Sequence, residues 1–230
     1  MPRVYPVEYG TFTNCEPTLG HTMIDKISSW KYTEDYALEP ESIRAARRHA
    51  DELGVESVTP ATGAQLAVIA GLGQAKNIVE VGTGAGVSSL WLLSASKDSV
   101  LTTIDSEPEY QNVAKENFKA SGIQPNRVRT ITGKAATVIG NMAESAYDLV
   151  FLDIDPEYME ELLPTAVSLV RPKGALVVAH ALWRDRVPNP ALRDEQTSGM
   201  RSVLRAFETS DDFTSTISMV GDGLLIVYKR

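Results

Sequence analysis

The chain has 230 residues, 43% of them hydrophobic and 23% charged, which suits one large soluble domain with a sizeable core rather than two. A net charge of −8 argues against a broad nucleic-acid surface, which needs clustered Lys and Arg. Cys15 is the only cysteine, so an intramolecular disulfide and a cysteine-based zinc site are excluded. No apolar run approaches a membrane span, and Met1-Pro2-Arg3-Val4-Tyr5 lacks the apolar core of a signal peptide. A cytosolic protein with neither nucleic-acid nor membrane partner is expected.

Residues 1–57 read as an arm or cap. Met1 to Pro17 is rich in Pro, Gly and Thr and reads as irregular. Leu19, Met23 and Ile27 recur at helical spacing and predict a short helix. A firmer helix spans Glu41–Leu53, with Pro40 near its start and Gly54 after its last apolar residue. Another covers Ala61–Leu72 and stops at Gly73. From residue 77 strands and helices alternate: strand Ile78–Val81, helix Val87–Ser94, strand Val100–Ile104, helix Pro108–Ser121, strand Val128–Thr132 and helix Ala135–Met142. Strand Asp148–Leu152, helix Glu157–Leu169 and strand Ala175–Val178 continue the series. Such alternation predicts an α/β fold, a doubly wound and mostly parallel sheet with helices on both faces. Helix Thr197–Phe207 then leads to two strand-like runs, Phe213–Val220 and Leu224–Tyr228. Gly221-Asp222-Gly223 between them signals an antiparallel hairpin. The irregular stretch Arg184–Arg193 lies just past a strand end, where open α/β sheets place their ligands.

The most informative segment is Asn77-Ile78-Val79-Glu80-Val81-Gly82-Thr83-Gly84-Ala85-Gly86-Val87-Ser88-Ser89. A buried strand runs into three alternate glycines and then a helix, the layout of a nucleotide or cofactor cradle. Glycines let backbone approach a ligand closely, and the helix start offers free N–H groups. The dinucleotide fingerprint G-x-G-x-x-G needs glycine where Val87 stands, which counts against an NAD-dependent oxidoreductase. Glu80, two residues before the first glycine, suits an ammonium or sulfonium group and is a poor neighbour for pyrophosphate. Asp105 ends the second strand, about 20 residues past the glycines, where such folds keep a ribose-binding acid. S-adenosylmethionine satisfies all three observations, having a ribose, no phosphate and a cationic sulfur.

With these motifs the chain resembles the small O-methyltransferases related to catechol and caffeoyl-CoA O-methyltransferases. The likeness runs from about Val58 to Arg230 and rests on Val79–Ser88, Leu101–Asp105, Tyr147–Asp153 and Val220–Leu224. The resemblance implies that Val58 lies beside the methionine part of the cofactor. It places Glu80, Gly82, Thr83, Gly84 and Ser88 along the cofactor's central region, Asp105 at the ribose, Ser106 beside the adenosine, and Lys134 and Ala135 at the adenine. Asp153 and Asp155 would face the junction of cofactor and acceptor. It also implies a homodimer.

The acceptor side departs from that family. Many members hold a divalent metal with the Asp of an Asp-x-x-Lys stretch and a later Asp-Asn pair. Here the positions fall on Asp153, Ala179 and His180, and the lysine that usually acts as general base falls on Pro156. Mg²⁺ prefers six oxygens, and Asp with imidazole makes too small a set even for a softer ion. No metal site is expected. His180, with an ordinary pKa of about 6.5, and Asp153 are the expected catalytic groups, and Trp183 with Asp153 the expected acceptor contacts. Asp155 reads equally as a cap for the helix after it, and Arg184 and Arg186 as a solvated loop. The reading is a single-domain S-adenosylmethionine-dependent O-methyltransferase with a small phenolic acceptor, and its alternative is a cofactor-binding protein without catalysis.

Overall fold

The computed structural model describes residues 23–208 and 210–230; the expectations for Met1–Pro17 and Leu19 lie outside them. Three helices come first, α1 (Met23–Tyr36), α2 (Glu41–Leu53) and α3 (Pro60–Leu72). In α2, Ile43, Ala46 and Ala50 form the buried stripe, and Gly54 ends the helix at φ +68°, a left-handed turn that costs glycine little. In α3, Thr59 accepts the Thr62 N–H at 3.2 Å and Pro60 takes the first helical position, where its missing donor is no loss.

Seven strands follow with their helices: β1 (Asn77–Val81), α4 (Val87–Ser94), β2 (Val100–Asp105), α5 (Pro108–Ala120), β3 (Val128–Thr132) and α6 (Ala135–Ile139). β4 (Tyr147–Leu152), α7 (Pro156–Leu169), β5 (Val170–Val178), α8 (Glu195–Glu208), β6 (Phe213–Ser218) and β7 (Leu224–Lys229) complete the chain. The sheet order is β3-β2-β1-β4-β5-β7-β6. β1 to β5 run parallel, while β7 pairs antiparallel with β5 and with β6. The expected doubly wound sheet with a terminal hairpin is therefore present.

Alternation along the central strands divides the core. Val79, Val81, Val150 and Leu152 pack with Met159 and Leu162 of α7 and with Met200, Val203 and Phe207 of α8. Ile78, Leu149, Phe151 and Val177 pack with Leu66 and Ala70 of α3 and Leu92 and Leu93 of α4. Strands covered on both faces read as continuous apolar runs, as these do.

Some boundaries differ from the sequence reading, each for a local reason. β5 begins at Val170 rather than Ala175. Its pairing with β4 shifts register across Arg171-Pro172-Lys173-Gly174, a stretch that reads as a turn because the strand is interrupted there. α6 ends at Ile139 because Gly140 follows, with Asn141 and Met142 held by short turn bonds. β6 stops at Ser218, where α1 takes over the chain: Met219 O accepts Trp30 Nε1 at 3.0 Å, and the Gly221 N–H is donated to Glu34 at 2.6 Å.

The order of strands leads outward in both directions from the β1–β4 pair. Chain connections diverge there, which opens a crevice at the carboxyl ends of the strands. The loops after β1, β2, β4 and β5 all meet at that crevice.

Candidate active site

A cavity of about 850 Å³ occupies the crevice, within the usual size range of small-molecule sites. Its wall contains Val58, Gly82, Thr83, Gly84, Ser88, Asp105, Ser106, Ala135, Asp153, Asp155, His180 and Trp183. The structure thus brings together the expected positions from six separate stretches of chain, with one exception; the expected Lys134 lines the same wall, and Gly133 joins it.

The exception is Glu80. Its side chain is fully buried, 0% exposed, and lies beneath the wall rather than in it. Thr103 Oγ1 donates to Glu80 Oε2 at 2.6 Å, and the Ser89 hydroxyl donates to the same oxygen. Behind Thr103 stands Thr83 Oγ1 at 2.7 Å, which accepts from Gln111 Nε2 at 2.9 Å. The donors therefore run Gln111, Thr83, Thr103, with Glu80 the final acceptor. Oε1 has no partner among the described residues. Burial lifts the Glu80 carboxyl to about 7, partly offset by its hydroxyl donors and reinforced by the nearby Asp153 carboxylate.

The glycines also need correcting. They are required by the protein's own packing as much as by any ligand. A β-carbon on Gly82 would stand 2.0 Å from the Asp153 carbonyl oxygen, and one on Gly86 2.6 Å from the Phe118 ring. All three glycines have positive φ, +97°, +50° and +85°, which β-carbons disfavour. The turn is thereby pressed against the end of β4, with the Asp153 N–H donating to Val81 O at 2.8 Å. This contact sets Asp153 beside the cradle.

Asp105 is fixed from the same loop. Its Oδ2 accepts the N–H groups of Thr83 and Gly84 at 3.0 and 2.9 Å, and its Oδ1 accepts that of Glu107 at 3.0 Å. Oδ2 is thereby filled, and Oδ1 keeps capacity for a further donor. Asp155 sits at the cap position of α7 but its side chain makes no capping bond, so the carboxylate stays available at the cavity wall. Pro156 opens α7 at its first position, a structural use of the residue that replaces the family lysine.

On the opposite wall His180 lies between two carboxylates. Its Nε2 is 3.1 Å from Asp153 Oδ1, and its Nδ1 is 3.2 Å from Asp222 Oδ2. Desolvation lowers the ring's pKa, but hydrogen bonding and charge from Asp153 and then Asp222 outweigh it and lift it to about 9. This lies above the ordinary value near 6.5 expected of the ring and favours the imidazolium at neutral pH. Trp183 is buried and meets the His180 ring edge to face, centroids 6.1 Å apart. Arg184 lies 5.5 Å over Trp183 and 3.8 Å from Glu56. Arg186 is turned away, held by Asp194 at 2.6 Å and by Thr197. The sequence does not single out Asp222, because Gly221-Asp222-Gly223 reads as a hairpin turn and as one stretch of the family likeness.

Of the three positions at which the family holds a metal, only Asp153 and His180 carry side-chain donors here. Ala179 offers no side-chain donor, and the His180 ring contacts Asp153 directly. Among the described residues no three His, Cys, Asp or Glu side chains are placed to hold an ion. Asp105 and Asp153 place negative charge along the cradle, which suits a small organic cation.

A Rossmann-like sheet with a ligand crevice at its switch point, a glycine cradle and an acid after β2 is the arrangement of the cofactor-binding α/β enzymes, methyltransferases among them. A profile of the O-methyltransferase family matches residues 33–230, and the chain belongs to that family. It is 44% identical over 199 residues to a Mycobacterium sp. (strain JLS) protein that carries a provisional O-methyltransferase name, covering 86% of this chain and 90% of the relative. A Corynebacterium glutamicum protein of known structure superposes with TM-score 0.81 at 27% identity, covering 90% of this chain and 96% of that one. The O-methyltransferase TomG of Streptomyces achromogenes, involved in tomaymycin synthesis and solved with S-adenosylmethionine, gives 0.77 at 26% identity over 88% and 96%.

Proposed function

We propose that this chain methylates a hydroxyl of a small phenolic acceptor with S-adenosylmethionine, and does so without a divalent metal. The observation that carries the reading is the His180 ring, held between Asp153 and Asp222 where the family's metal ligands would stand.

When bound, S-adenosylmethionine supplies an electrophilic methyl group on a sulfonium centre. Asp105 is placed to accept the ribose hydroxyls, and Ser88, in the first turn of α4, is placed beside free N–H groups that suit a carboxylate. Val58, Gly82, Thr83, Gly84, Ser106 and Ala135 shape the rest of that wall. TomG, solved with S-adenosylmethionine, supports the choice of cofactor.

The acceptor's oxygen must become a better nucleophile, and its proton must leave. His180, already protonated, provides fixed positive charge that stabilises the oxyanion as it forms. Asp153, at the junction of both walls, is the group left to receive the proton. Trp183 offers an aromatic ring a flat surface. Positioning supplies the remainder.

The reading includes a cytosolic homodimer of a single methyltransferase domain. Val68 and Leu72 of α3 are 57% and 83% exposed, and Ile27 and Trp30 of α1 and Met219 also face outward; contiguous apolar surface of this kind supports a partner. Sedimentation of the intact chain tests it. Incubation with labelled S-adenosylmethionine and a panel of phenols tests the activity. Label in the phenol supports transfer, while cofactor binding with no transfer supports a non-catalytic role.

A further inference from the structure

We propose that Asp222 is the positioning residue of the acceptor wall, fixing the His180 ring and the loop behind it in one orientation. It acts on the reaction only through His180, and the inference rests on the reading of His180 given above.

The hairpin tip is built to present one side chain. Gly221 and Gly223 have φ of +55° and +82°. A β-carbon on Gly221 would stand 2.6 Å from Thr62 Oγ1, and one on Gly223 2.6 Å from Leu182 Cγ. Both flanks are closed to side chains, and the carboxylate between them points at the 180–184 loop. Oδ2 meets His180 Nδ1 at 3.2 Å, and Oδ1 accepts the Arg184 N–H at 2.6 Å. The backbone repeats the contact, with Leu182 N–H donating to Asp222 O and Ala181 N–H to Gly223 O, both at 3.0 Å.

The loop needs such a clamp. His180, Trp183, Arg184 and Asp185 all have positive φ, between +45° and +57°, and residues other than glycine hold that conformation only when their surroundings impose it. The tip is itself anchored from outside. Trp30 Nε1 donates to Met219 O at 3.0 Å, and Glu34 accepts the Gly221 N–H. A chain of contacts thus runs from α1 through the hairpin tip to the ring.

The charged groups around His180 are Asp153 from the end of β4, Asp222 from the hairpin, and Arg184 beyond Trp183 on its own loop. With both ring nitrogens facing carboxylates, each must donate. Asp222→Asn keeps the shape but can offer an acceptor to only one of its two partners, the ring or the Arg184 N–H.

The test is ring NMR of the free, full-length chain, which needs neither cofactor nor acceptor. With three histidines in the sequence, a His180→Gln spectrum assigns the signal. At pH 8 both His180 nitrogens of the unaltered protein are expected to be protonated, and Asp222→Asn is expected to lower the titration midpoint by about one pH unit or more. An unprotonated Nδ1 in the unaltered protein, or an unchanged midpoint in a folded Asp222→Asn, overturns the proposal. Should the NMR result hold while no phenol is methylated, the functional reading fails and the positioning role stands.

Discussion

At the scale of single residues, the site separates into a cofactor wall held by backbone and an acceptor wall held by ions. Asp105 receives three loop N–H groups, so Asp105→Ala removes both a ribose acceptor and the clamp on the cradle. We expect S-adenosylhomocysteine binding to weaken by roughly 1–3 kcal/mol in calorimetry; an unaltered affinity contradicts the ribose assignment. His180→Ala should lower turnover at least about tenfold and leave cofactor affinity within a few-fold, because the ring stands on the other wall. The pH profile separates its two conceivable roles. A cationic His180 predicts that turnover falls as pH rises through about 9, whereas a base predicts a rise over the same interval.

The positions of the wall were legible in the sequence because strand ends and glycines mark a crevice, but the states of the side chains were not. Glu80 shows why. In a strand buried on both faces, pattern alone does not tell which side a residue takes. Glu80 shares the Ile78 face, toward Ser89 of α4, and lies under the cradle. His180 looked like an ordinary histidine because its second carboxylate comes from Asp222, 42 positions later in the chain.

At the scale of elements, local rules located nearly every helix and strand, and the differences arose where tertiary contacts overrode them. The register shift in β5 and the early end of β6 depend on partners distant in sequence, namely β4 and Glu34. Helix α3 illustrates the opposite case. Its start depends on Thr59, whose hydroxyl oxygen accepts the Thr62 N–H, a signal written within four residues. Thr59→Ala should cost about 1 kcal/mol in denaturant unfolding; no loss means that the cap is dispensable. Gly82→Ala belongs to the same scale, since its β-carbon would collide with the Asp153 carbonyl. The turn must then move away from β4, so we expect a lowered melting temperature together with weakened S-adenosylhomocysteine binding. Retention of both contradicts the tight apposition of β1 and β4.

At the scale of the whole molecule, two buried groups give stability an unusual dependence on pH. His180 has its pKa raised from 6.5 to about 9 in the folded protein. Its contribution is therefore full below 6.5 and is lost as pH rises through about 9, at most about 3 kcal/mol. Glu80 is raised from 4.5 to about 7, so folding favours its protonated form and stability falls as pH climbs through that range. Both act in the same direction. The melting temperature of the free protein should decline from mildly acidic to alkaline pH, and Glu80→Gln should flatten the part below about 7. A melting temperature that rises over that range in the unaltered protein, or an unchanged slope in Glu80→Gln, contradicts these assignments. The Glu80 carboxylate, costly where it is buried beneath the cradle, carries a charge that a sulfonium or ammonium ligand above it would offset.

The central claim is metal-independent methyl transfer at a site where His180 stands in the metal position. Its most direct test is transfer of labelled methyl from S-adenosylmethionine to a panel of phenols by the intact chain, measured after exhaustive EDTA treatment and again with Mg²⁺ or Mn²⁺ restored. The account predicts equal rates in the two conditions, and a rate that disappears with EDTA and returns with the ion contradicts it.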